Sequence, residues 1–182
     1  MKKTIVAAAL AAGLAGAADA QTLDPENTIY MDLTYGRVVI ELRPDLAPKT
    51  VARMKELTRA HFFDGIVFHR VISGFMAQTG DPTGTGTGGS GKKLPAEFSS
   101  AHHLRGTVSM ARAQDPDSAD SQFFICYAAM PQLDGKYTIW GQVVQGMEFV
   151  DKIKRGDDYP NGMVSPPQDK IVRMQVAADV KQ

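Results

Sequence analysis

Between Phe68 and Gln78 the chain reads Phe-His-Arg-Val-Ile-Ser-Gly-Phe-Met-Ala-Gln, which sets one arginine and one glutamine among aromatic residues and a methionine. A guanidinium stays protonated and presents a rigid fork of donors, so in apolar surroundings it can grip an acceptor that water would otherwise solvate. The stretch otherwise reads as a buried strand. The residues alone leave two uses for Arg70 open: it ends the strand and meets a surface carboxylate or solvent, or it serves a site. Phe75, Met76 and Phe124 divide in the same way between an ordinary core and a binding pocket.

Other chemistries find little support. Ser121, His69 and Asp81 could be assembled into a triad on paper, but there is no G-x-S-x-G elbow and nothing in the sequence makes the three converge. Gly86 to Lys92 fits G-x-x-x-x-G-K, yet Lys93 occupies the Ser/Thr position and Leu94-Pro95 follows where a helix should begin, so no nucleotide cofactor is expected. The one cysteine, Cys126, cannot form an intrachain disulfide or a multi-thiolate zinc site, and His61, His69, His102 and His103 lack H-E-x-x-H spacing; neither metal nor cofactor is expected. His69 reads as a core or hydrogen-bonded structural histidine.

The elements that must hold these residues are short. The chain has 182 residues, 20 basic and 20 acidic, with 43% hydrophobic and 22% charged residues, which describes one globular domain. Zero net charge and the lack of any like-charge block argue against a nucleic-acid partner. Residues 1–20 differ from the rest: Lys2 and Lys3, an Ala/Gly/Leu-rich run from Thr4 to Ala17, then Ala18-Asp19-Ala20, the pattern of a secretory signal peptide cut after Ala20. The run is too short and too Ala-rich for a membrane anchor, so no stable membrane insertion is expected. The protein is thus expected to be exported, to the periplasm in a Gram-negative host, with residues 21–27 as a short lead and one domain over 28–180.

Ile29, Met31 and Leu33, then Val38, Ile40 and Leu42, alternate with other residues around Tyr35-Gly36, as an antiparallel hairpin does. Val51, Met54, Leu57 and His61 repeat at three and four, predicting a helix over Thr50 to His61. Short apolar runs at Ile66–Ile72, Thr107–Ala111, Gln122–Tyr127, Tyr137–Val144 and Lys170–Ala177 predict further strands, and Met147–Lys154 a second helix. Many strands, two helices and no strand-helix-strand alternation point to a closed antiparallel barrel or a sandwich. Five glycines between Gly84 and Gly91 read as a tight irregular loop.

Taken in order, F-H-R-V-I-x-G-F-M-x-Q at Phe68–Gln78, G-T-G-x-G-G at Gly84–Gly89, S-M-A-R-A at Ser109–Ala113 and S-Q-F-F-I at Ser121–Ile125, with Leu133-Asp134-Gly135-Lys136-Tyr137, resemble the cyclophilin family of peptidyl-prolyl cis-trans isomerases. The resemblance extends from about Thr28 to about Val180. It implies a mainly β fold, a closed eight-stranded antiparallel barrel capped by two α-helices. It also implies a site: Arg70 as the catalytic arginine, Phe75, Met76, Phe124 and Leu133 as the proline pocket, and Gln78 and Gln122 as its polar wall. Ala111 and the backbone at Arg112 would run beside the peptide, Tyr137 would edge the pocket, and Thr87 in the glycine loop would line the rim.

The implied activity is rotation about X-Pro bonds of unfolded or flexible polypeptides, by a monomer that assists folding of exported proteins; the alternative is a non-catalytic peptide-binding or chaperone module on the same barrel. Three positions depart from the family pattern: Arg112 stands where Asn is common, Gln132 where strongly cyclosporin-sensitive members carry Trp, and Tyr137 where His is common.

Overall fold

The computed structural model describes residues 22–157 and 159–181; the proposed signal peptide lies outside them. Eight strands form one antiparallel sheet: β1 (Thr28–Leu33), β2 (Gly36–Leu42), β3 (Arg70–Ile72), β4 (Met76–Thr79), β5 (Thr107–Met110), β6 (Phe123–Cys126), β7 (Ile139–Gln145) and β8 (Ile171–Val176). Their order is β3-β4-β6-β5-β7-β2-β1-β8. The β1–β2 hairpin turns at Thr34-Tyr35, with Leu33 opposite Gly36. Helix α1 (Pro48–Arg59) starts two residues earlier than its apolar repeat, because Pro48 suits the first helical turn. Its N-terminal cap comes from far along the chain: the Glu97 carboxylate accepts from the backbone N–H of Lys49 at 2.9 Å and of Thr50 at 2.8 Å.

Three expectations change. The run read as a strand over Ile66–Ile72 is a strand only over Arg70–Ile72, and the apparently continuous stretch to Gln78 folds into a hairpin. Ser73-Gly74 makes that turn, with Gly74 at φ +68°, a conformation only glycine adopts without strain. Helix α2 covers Met147–Val150 rather than reaching Lys154; beyond it the chain bends until the Lys154 N–H donates to the Asp169 carboxylate. The barrel expected to be closed is a curled sheet whose outer strands, β3 and β8, share no ladder. Since β3 is only three residues long, the gap is stitched by single bridges, Val67 to Lys170 and Arg70 to Met163.

Side-chain alternation divides the sheet into two faces. Phe123 and Ile125 of β6, Ala77 of β4 and Val108 and Met110 of β5 point into the main core with Trp140 and the buried face of α1. Phe123 meets Phe63 and Trp140 edge to face, with ring centroids 5.7 and 5.4 Å away. The intervening residues of the same strands, Met76, Phe124 and Cys126, join Met130 and Leu133 in a second cluster on the outer face. That second face carries the site.

Candidate active site

The outer cluster lines a cavity of about 260 Å³. Nine of the residues singled out in the sequence converge there: Arg70, Phe75, Met76, Gln78, Ala111, Arg112, Phe124, Leu133 and Tyr137. Gln122 and Thr87 line instead an adjoining cavity of about 350 Å³, which shares Gln78, Gly86, Ala111 and Arg112 with the first. Met76, Phe124 and Leu133 are buried and Phe75 and Tyr137 half-buried, so the cavity has an apolar floor with two aromatic edges. Phe75, Met76 and Phe124 pack in a cluster separate from the main core.

Arg70 opens β3 directly opposite Gln78 of β4. Its Nε donates to the Asn161 carbonyl at 2.7 Å and its Nη1 to Gln78 Oε1 at 3.1 Å. Gln78 Nε2 donates in turn to Gln122 Oε1 at 2.9 Å, and Gln122 Nε2 to the carbonyls of Gly86 and Gly88 at 3.0 and 2.9 Å. Each amide accepts on one side and donates on the other, so the relay fixes both amide orientations. Among the described residues Nη2 has no hydrogen-bond partner, and it is not fully buried. Burial lowers the Arg70 pKa from its ordinary value, an effect the nearby Tyr137 phenol opposes.

The glycine loop is firmly held. Asp81 accepts from the N–H of Thr83 at 2.7 Å, of Thr85 at 3.2 Å and of Gly86 at 2.6 Å, and from the Thr83 hydroxyl at 2.8 Å. Burial alone would raise its pKa; the hydroxyl and backbone donors outweigh it and bring the value to about 2. A side chain at position 88 would strike the Asp81 carboxylate, since a Cβ there would lie 2.2 Å from Oδ1. Asp120 holds the far end through the Ser90 N–H at 2.7 Å and the Gly91 N–H at 3.1 Å.

Arg112 differs from expectation in that its side chain, not its backbone, is held by the protein. It donates to the carbonyls of Ala113, Gln114 and Lys136 and lies over the Tyr137 ring, 4.7 Å from the centroid. Gln132 is exposed and reaches the Met130 sulfur. Two residues around the site escaped the sequence: Met163, which lines the cavity, and Asn161, whose carbonyl accepts from Arg70 Nε; both lie some ninety residues from Arg70 and in no motif. His69, expected in a structural role, does line the cavity, buried and with neither ring nitrogen partnered among the described residues; burial lowers its pKa.

The paper triad does not form. Ser121 donates to the Gly80 carbonyl at 2.7 Å, and Asp81 is occupied by the loop. A serine-histidine-aspartate row does exist elsewhere: Ser109 Oγ lies 3.1 Å from His103 Nε2, and His103 Nδ1 3.0 Å from Asp134. Ser109 and His103 are 0% and 1% exposed, so no substrate carbonyl reaches that hydroxyl. The row instead backs the site, with the His103 ring stacked 6.4 Å from Phe124. Among the described residues no group of three or more His, Cys, Asp or Glu is placed to hold a metal ion, and no helix is long and apolar enough to cross a membrane.

Comparison with known proteins agrees with this geometry. The family model described as cyclophilin type peptidyl-prolyl cis-trans isomerase/CLD matches residues 28–176. A Brucella suis protein described as a probable peptidyl-prolyl cis-trans isomerase is 50% identical over 194 aligned positions, covering 100% of this chain and 98% of the relative. A human protein, peptidyl-prolyl cis-trans isomerase-like 3, is 44% identical over 133 positions, covering 70% of this chain and 81% of its own. The crystal structure of a Cryptosporidium parvum cyclophilin, obtained in the presence of the dipeptide Ala-Pro, superposes with TM-score 0.75 at 30% identity, covering 82% of this chain and 98% of that one. A cyclophilin from Hirschia baltica gives 0.76 at 27% identity, over 87% of this chain and 77% of that one. The chain therefore belongs to the cyclophilin-type peptidyl-prolyl cis-trans isomerases.

Proposed function

We propose that the cavity takes the proline ring of an X-Pro segment, that Arg70 carries the isomerisation, and that the protein assists folding of exported polypeptides. An X-Pro amide rotates over a barrier of roughly 18–20 kcal/mol imposed by conjugation. In the twisted transition state the prolyl nitrogen regains a lone pair that the planar ground state lacks, so a donor aimed at it stabilises the transition state selectively. The observation that carries this reading is the fixed guanidinium with a free donor: Nε and Nη1 are tied to Asn161 and Gln78, while Nη2 has no partner among the described residues. Raising a rate of about 0.01 per second to about 10 per second requires about 4 kcal/mol, within reach of one preorganised charged donor in a desolvated pocket.

Phe75, Met76, Phe124 and Leu133 supply the apolar seat that holds the ring still while the preceding residue turns. Among the described residues the backbone N–H and C=O of Arg112 have no hydrogen-bond partner, whereas Ala111 N–H is paired with Gln122. An extended peptide can use that edge as an added strand, which places Ala111 and Arg112 beside the residues before proline and Thr87 and Gln122 at the rim. Export rests on the residue pattern of 1–20, and mass measurement of the protein recovered from the cell envelope tests it, with Gln21 as the first residue expected.

The activity test is exchange NMR on a short X-Pro peptide with the chain from Gln21 onward and its Arg70→Ala variant. Fast exchange that collapses in a folded variant supports the assignment. Peptide binding without accelerated exchange in the unmutated protein overturns it in favour of a peptide-binding module.

A further inference from the structure

We propose that Arg112 is a positioning residue for the isomerisation: its guanidinium holds the Tyr137 ring against Phe124 and so sets one edge of the proline pocket. The proposal rests on the isomerase reading of the same cavity.

Four N–H···O=C bonds fix the guanidinium. Nη1 donates to Ala113 and Gln114 at 2.9 and 3.1 Å, and Nε and Nη2 both donate to Lys136 at 3.1 and 3.0 Å. The bonds tie together two loops that both line the cavity, and the Lys136 carbonyl belongs to the peptide that leads into Tyr137. One face of the guanidinium lies on Tyr137, 4.7 Å from the ring centroid, and Phe98 stands 5.8 Å away. Tyr137 then meets Phe124 edge to face at 5.9 Å. The contact series runs from Arg112 to Tyr137 to the pocket floor.

Arg112 takes part in no ion pair among the described residues, so an ordinary surface charge pair does not account for its place. Lysine cannot replace it, because a single ammonium cannot bond carbonyls on two loops while presenting a flat face to a ring. Positions 112 and 137 are also two of the three that depart from the family pattern, and here they touch.

The test is a double-mutant cycle on kcat/KM from exchange NMR, with Arg112→Ala, Tyr137→Ala and the pair, alongside the Tyr137 ring-proton resonances. Arg112→Ala is expected to lower kcat/KM about tenfold in the natural background, to shift the Tyr137 resonances, and to cost nothing further once Tyr137 is Ala. Multiplicative losses, or unchanged Tyr137 resonances, overturn the proposal. Arg112→Lys serves if the alanine variant fails to fold, as read by fluorescence of the core residue Trp140; it should lose activity similarly, and full activity in it overturns the proposal. Inactivity of the unmutated protein would remove the isomerase reading and this proposal with it, whereas multiplicative losses in an active protein remove only the proposal.

Discussion

Gln78 stands opposite Arg70 in the β3–β4 ladder, and its side-chain oxygen accepts from the guanidinium while its nitrogen donates to Gln122. The arginine is therefore aimed by a neutral acceptor, which orients the cation without cancelling its charge. Gln78→Leu removes the orientation and should lower kcat/KM about tenfold, or about 1.4 kcal/mol. Gln78→Glu keeps the shape but neutralises Arg70 in place, and should lower it further. Steady-state exchange NMR on both variants checks the order; a glutamate variant more active than the leucine one would refute the electrostatic argument.

Asp81 couples acid stability to the glycine rim. Its folded pKa, about 2, lies below the unfolded value of about 3.9, so its contribution is present above pH 4 and lost as pH falls through about 2. The shift corresponds to roughly 2–3 kcal/mol. Asp81→Asn turns an amide NH₂ toward backbone donors and should remove that stability at neutral pH while flattening the acid limb. Urea unfolding at pH 7 and pH 3 measures both effects, and an unchanged acid limb would count against them.

His69 acts in a different window. Burial, with some help from Arg70, lowers its pKa below about 6.5, so the unfolded chain binds more protons as pH drops below that value and stability falls. The contribution is complete above about 6.5 and is lost as pH falls through the folded pKa. His69→Gln should lessen the loss of stability between pH 7 and pH 5. His103, also lowered by burial, keeps part of the slope. Equal pH slopes in the variant and the natural sequence would rule out a role for His69.

Cys126 lies at the back of the pocket cluster, fully buried, and burial pushes its thiol up to about 12. At pH 8 it should resist a thiol-specific reagent in the folded protein and react promptly in denaturant. Labelling of the folded protein at the rate of a free cysteine would contradict the packing around Met76 and Phe124.

The sequence exposed what is local or periodic. The hairpin Thr28–Leu42 showed itself by alternation, α1 to within two residues by its apolar spacing, and the pocket residues through motifs that resemble a family. Arg70 and Gln78, eight apart, were visible together, though not as a hairpin, because Ser73-Gly74 interrupts an otherwise unbroken apolar stretch. Contacts built by the tertiary fold were hidden. Asn161 holds Arg70 and Met163 lines the cavity from a segment with no periodic signal, and Glu97 caps α1 from 48 positions past Lys49. Arg112 and Tyr137 were each recognised as departures, but nothing 25 positions apart in sequence shows that a guanidinium lies on a ring. Residue type alone does not separate Phe123 from Phe124, and only the family resemblance picked out Phe124: adjacent and chemically identical, they serve opposite faces because a strand alternates.

The stitched gap beside β3 bears on how the molecule breathes. Arg70 sits on an outer strand of three residues, joined on one side to β4 and on the other, among the described residues, by the bridge to Met163, the bonds from Val164 N–H to the His69 carbonyl and from Gly156 N–H to the Val71 carbonyl, and the Arg70 side chain's own bond to the Asn161 carbonyl. Opening there breaks a handful of bonds and leaves the β1–β2–β7 region of the sheet intact. Native-state amide exchange should accordingly find Val71 and Val164 protected less than Val143 and Met174. The machinery that lowers a rotational barrier in other chains would then be mounted on the part of its own fold that unlatches first.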